Sequence, residues 1–96
     1  MTISTDSISV TYSDEKLRIL VEEYITQQKT EFTFKGLCSF ILYWAMEDRA
    51  VADDGNTLHE NYQLQQKDMD RVRRIVDAVV LDGRISPVSS DNFRKL

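Results

Sequence analysis

The residues able to do chemistry are few and scattered. His59 is the only histidine and Cys38 the only cysteine, so a thiolate–imidazole pair has one possible composition. Their positions argue against it. Cys38 falls early in an expected helix and His59 follows an acidic turn, which reads as a buried thiol and a surface imidazole. Carboxylates stand side by side as Glu22-Glu23 and Asp53-Asp54, but neighbouring helical residues point about 100° apart and do not converge on a substrate. Phosphate-cradling loops need clustered glycines, and Gly36, Gly55 and Gly83 lie far apart. With Gly55 at the sixth position of a calcium loop, Ala50 and Ala52 stand where carboxylates belong and Asn61 where the bidentate Glu belongs. No catalytic set, metal or cofactor is expected, and the chain reads as non-enzymatic.

One charged pattern rises above this background. Lys67, Arg71 and Arg74 recur at i, i+4 and i+7, nearly opposite an arc of valines, with Asp70 and Asp77 to one side. Such a stripe is either a solvated face with local charge pairs or an outer face that meets a phosphate backbone or an acidic partner.

The elements that must carry these residues follow from periodicity. Ile8, Val10 and Tyr12 alternate with Ser9 and Thr11, the period of a half-buried strand or arm over residues 1–12. Ser13 offers an N-cap with Asp14 and Glu15 in the first turn, and Leu17, Leu20, Val21, Tyr24 and Ile25 form one stripe, predicting a helix over 14–28. Glu31 to Phe34 is short, aromatic and β-prone. A second helix is expected over 35–52. Leu37, Phe40, Ile41, Trp44 and Val51 make its inner face, with Trp44 buried against helices 14–28 and 67–82. Asp53-Asp-Gly-Asn56 should end that helix as a turn, and Thr57 with Glu60 has capping-box spacing.

Met69, Val72, Ile75, Val76, Val79 and Val80 share an arc of about 140°, and Gly83 stops that helix. Leu58, Tyr62 and Gln65 fall in register with the arc. A single helix over 58–82 is therefore an alternative to a short turn at Leu58–Tyr62 followed by a break near Gln66. Ile85, Pro87-Val88 and Phe93 flank a Ser89–Asn92 turn, a hairpin. Residues 1–96 read as one domain, with a helical core and C-terminal hairpin over 13–95.

Net charge is -4 but uneven. Residues 1–66 hold five basic and eleven acidic side chains, and residues 67–96 seven basic and five acidic. An acidic total argues against nonspecific nucleic-acid binding, while the basic last third leaves a localised contact open. No signal-peptide pattern opens the chain. The most apolar stretch, Leu37 to Met46, is about half a membrane span. A cytoplasmic protein with no membrane contact is the expectation.

The segment Arg73-Arg-Ile-Val-Asp-Ala-Val-Val-Leu-Asp-Gly-Arg-Ile85 resembles the recognition helix of the winged helix-turn-helix superfamily running into its first wing strand. The order helix, strand, helix, helix, hairpin over 14–95 is similar to that superfamily too. The resemblance implies a mainly α, three-helix winged-helix-like domain with a small β component. It also implies double-stranded DNA as partner, Lys67, Arg71 and Arg74 along the DNA-facing helix, and Arg84 on the wing. The stretch from Asp53 to Gln66 is long for a helix-turn-helix turn.

The competing expectation is an acidic protein-interaction or adaptor module using helix 35–52. Leu42 and Met46, i, i+4 neighbours opposite Trp44, together with Tyr43 would then form an apolar interface with a protein partner or the second copy of a homodimer.

Overall fold

The computed structural model describes residues 6–51 and 62–96. Strand β1 (Asp6–Ile8) leads into helix α1 (Asp14–Gln27). Ser13 caps α1, its Oγ accepting from the Lys16 N–H at 3.2 Å, and the apolar stripe buries Leu17, Leu20, Val21 and Ile25. In strand β2 (Glu31–Thr33) Phe32 is buried between two exposed neighbours. Thr33 also caps helix α2 (Phe34–Glu47), its Oγ1 accepting from the Gly36 N–H at 2.9 Å. Strand β3 (Tyr62–Leu64) precedes helix α3 (Gln66–Leu81), followed by β4 (Ile85–Pro87) and β5 (Asn92–Lys95).

The fold is mainly α with a small β component. The hairpin β4–β5 joins β2 in an antiparallel sheet of order β2-β5-β4, while β1 pairs in parallel with β3, Ile8 opposite Leu64. α1 packs on both α2 and α3, and one core joins all the layers, with Leu17, Leu37, Ile41, Leu64, Val76 and Phe93 almost fully buried. No helix of the described residues is long and apolar enough to cross a membrane.

Helix α3 starts at Gln66 because Tyr62 to Leu64 are drawn into a strand against β1. Tyr62 is therefore not part of a helical turn, and the uninterrupted 58–82 helix is excluded. Its C-terminus follows the glycine signal. Gly83 takes φ 77, its N–H donating to the Val80 carbonyl, while the Arg84 N–H reaches that of Val79.

Helix α2 ends at Glu47 and not at Ala52. Arg49 adopts φ 56, the Ala50 N–H returns to the Ala45 carbonyl at 2.7 Å, and the chain then runs extended against the N-terminal segment. There Thr11 donates to the Ala50 carbonyl and Val10 bridges Val51. The sequence-predicted turn at 53–56, the capping box at Thr57 and Glu60, and His59 lie outside the described residues.

Two placements on α2 differ from expectation. Its buried arc is Leu37, Cys38, Ile41, Leu42 and Ala45, rotated away from the Leu37–Phe40–Trp44 side. Trp44 is consequently 39% exposed, and Leu42, expected on an outer interface, is only 7% exposed. A helix apolar on nearly every side gives its period no contrast, so neighbouring elements decide which arc goes inside.

Candidate functional site

Four of the residues singled out for charge sit in different surroundings. Arg71 is held from three directions. Its Nε donates to Asp14 Oδ1 at 2.9 Å, one terminal nitrogen to Asp68 Oδ1 at 3.0 Å, and the other to the Tyr12 carbonyl at 2.6 Å. Desolvation works against its charge, but the hydrogen bonds it donates to Asp14 and Asp68 win and stabilise the guanidinium further. Asp68 is 1% exposed. Its second oxygen accepts from the Val10 N–H at 3.1 Å, so this buried carboxylate is paired and hydrogen-bonded, as burial requires.

The expectation that Arg71 lies free on the outer face is corrected accordingly. Arg71 turns toward α1 and the N-terminal segment and fastens both to α3. Arg84 leaves the hairpin to grip Glu22 on α1 with both terminal nitrogens. That hydrogen bond holds the Glu22 carboxyl below its ordinary range. Lys67 and Arg74 are exposed and, among the described residues, have no carboxylate partner. Along the outward side of α3 they alternate with the exposed Asp70 and Asp77, so that face is nearly neutral in sum.

Arg73, not in the predicted stripe, lies over the rings of Phe34 and Phe93 at 5.2 and 5.3 Å and donates to the Ser90 carbonyl, fixing the hairpin turn to α3. Arg18 was also missed. It borders a groove of about 180 Å³ between α1 and α3, shared with Asp14, Arg71, Arg74, Ile75 and Ala78. Its position four residues after Asp14 puts both on one side of α1, a signal that becomes readable once α1 is known to pack on α3. A broader concavity of about 770 Å³ along Glu15, Ile19 and Glu23 has all its described lining on α1. Arg18 and Glu22 line it too, so this side of α1 sets Arg18 among carboxylates of its own helix.

The second surface is apolar. Tyr43 is 58% and Met46 44% exposed, beside the part-exposed Trp44. These rings end a ladder that starts in the core. Phe93 stacks on Phe32 at 5.5 Å, Phe32 meets Tyr24 edge-on, Tyr24 packs on Phe40 at 5.1 Å, and Phe40 meets Trp44, which meets Tyr43 edge-on at 5.6 Å. Gly36 lets the ladder close: a Cβ there would lie 2.6 Å from the Tyr24 hydroxyl. Of the predicted interface residues, Tyr43 and Met46 are on this face and Leu42 is beneath it.

Cys38 is buried, and burial together with the nearby charge of Asp91 pushes its thiol up to about 12, away from the reactive thiolate. Among the described residues no three His, Cys, Asp or Glu side chains are grouped to hold a metal ion. Comparison with family models, curated proteins and solved structures finds no match to this chain.

Proposed function

We propose that this chain is a non-catalytic regulatory domain that works by binding, and that its primary contact is self-association through the outer face of α2. The observation carrying this reading is the exposed end of the aromatic ladder. Tyr43 and Trp44 are large rings with few rotatable bonds that meet edge-on, so docking costs little side-chain entropy. Aromatic residues dominate binding energy where they are desolvated centrally in an interface. Tyr43, flanked by Trp44 on one side and the adaptable Met46 thioether on the other, would meet the same face of a second copy in a two-fold contact. Sedimentation equilibrium combined with the emission of Trp44, the only tryptophan, tests this. A dimer should form as concentration rises, with a blue shift of emission, and Tyr43→Glu should abolish both. A monomer with unshifted emission at high micromolar concentration overturns it.

A second reading, duplex contact by α3, is favoured by topology. The order α1, β2, α2, β3, α3, β4, β5 with β5 between β2 and β4 resembles a winged helix, in which the third helix enters the major groove, apart from the added β1–β3 pair. Lys67 and Arg74 are its available phosphate contacts, since Arg71 and Arg84 are engaged within the molecule. The Lys67→Ala and Arg74→Ala double variant should reduce the log–log salt slope of duplex binding by about two, roughly one per contact. Absence of duplex binding at low salt leaves the α2 reading alone.

A further inference from the structure

We propose that the groove between α1 and α3 is a phosphate-binding subsite, with Arg18 and Arg74 as its two ligating arms and the carboxylate-bound Arg71 as part of its lining. Among the described residues, Arg71, Arg73, Arg84 and Arg94 each have a carboxylate partner. Arg18, Arg49 and Arg74 have none among the described residues, and Arg18 and Arg74, brought from different helices, border one groove. Asp14 is the carboxylate in its lining, and it is engaged by Arg71 Nε. Behind it, Asp68 is buried and turned toward Arg71 and the Val10 N–H. On α1, Glu22 is held by Arg84. Among the described residues the groove is lined by three arginines and one carboxylate, and Glu22, whose charge Arg18 also feels, is hydrogen-bonded by Arg84.

Guanidinium forks match the oxygens of a phosphate in pairs, which a lysine cannot do. Ile75 and Ala78 supply an apolar floor, where charge–charge attraction is less screened than in open water. At about 30 Å³ per water, a space of about 180 Å³ takes one phosphate group with a few waters and leaves the rest of the ligand outside. The subsite is independent of the α2 contact. If the phosphate belongs to a duplex, it adds Arg18 to the second reading.

Inorganic phosphate is the first probe, titrated at constant ionic strength against the arginine Nε–H resonances. Arg18 and Arg74 should shift together and saturate. Arg18→Gln and Arg74→Gln should each weaken binding about tenfold, the worth of a charge-assisted hydrogen bond, with melting temperature unchanged because both side chains are exposed. Arg94→Gln, a basic residue on β5 paired with Glu31, should have no effect. A short duplex is the second probe. Loss of duplex affinity in the same two variants assigns the phosphate to a nucleic-acid backbone. Phosphate binding without duplex binding assigns it to a small phosphorylated ligand. Unsaturable shifts, or equal loss in Arg94→Gln, overturn the proposal. Tyr43→Glu should leave every phosphate shift in place, so failure of the dimer and failure of the subsite read out separately.

Discussion

Around Arg71, two carboxylates and two backbone groups of the N-terminal segment close on one another, whereas on the outer face of α2 two aromatic rings and a thioether stay open to solvent. Charged side chains are usually the exposed ones and aromatic ones the interior. Here the charges hold distant parts of the chain together, and the exposed rings are the groups free to meet something else. A formal count of basic residues therefore overstates what α3 can offer a polyanion, and the apolar content of α2 exceeds what its core needs.

The sharpest way to break the comparison is Asp68→Ala. It leaves the Val10 N–H without its partner and Arg71 with only Asp14 and the Tyr12 carbonyl. Removing one member of a buried charged pair should cost about 3 kcal/mol, measured by urea denaturation with an unchanged m-value. A cost under about 1 kcal/mol would mean that the cluster is not an anchor and that Arg71 can be recruited outward.

Gly36→Ala probes the other side. The added methyl would sit 2.6 Å from the Tyr24 hydroxyl and 3.0 Å from the capping Thr33 Oγ1. The strain, about 1–3 kcal/mol, should outweigh the roughly 1 kcal/mol gain in helix propensity and displace the ring signals of Tyr24 and Phe40. A stabilised variant with unmoved ring signals would show that the ladder yields easily and is no platform.

The smallest effect is electrostatic. Glu22 is hydrogen-bonded by Arg84, so its folded pKa lies below the ordinary value of 4.5. Its contribution is fully present above that value and is lost as pH falls through the lower folded one. Both partners are partly exposed, so the difference in melting temperature between Glu22→Gln and the parent should be slight, salt-sensitive and absent in strong acid. A gap that persists in strong acid would assign Glu22 a packing role instead.

Legibility in the sequence tracked contrast. α1 could be read because Ser13 and one narrow stripe mark it, and α3 because its valines and Gly83 do. α2 could be located but not oriented, since apolar residues circle it and only packing against α1 and β3 selects the inner arc. Its end was hidden because Arg49, not glycine or asparagine, takes the left-handed turn. The spacing of the basic stripe was visible, and so was Asp68 three residues before Arg71. Asp14 and the Tyr12 carbonyl approach from more than fifty residues away in sequence, a distance no local pattern reports. The arms of the α1–α3 groove come from separate helices for the same reason.

The parallel pairing of β1 with β3 has a kinetic side. The stitches that bring the first strand home, Val10 to Asp68 and Tyr12 to Arg71, span 58 and 59 residues, and Arg84 reaches Glu22 across 62. Each requires closure of a long loop before any contact compensates for it. Ile8, buried in the core and paired with Leu64, cannot be covered until residues beyond 60 are in place. Folding of this chain therefore waits on these non-local contacts and is slower than three short helices alone would suggest. The segment α1–β2–α2 has no complete core of its own, so amide exchange in α1 and α3 is expected to report a single global opening.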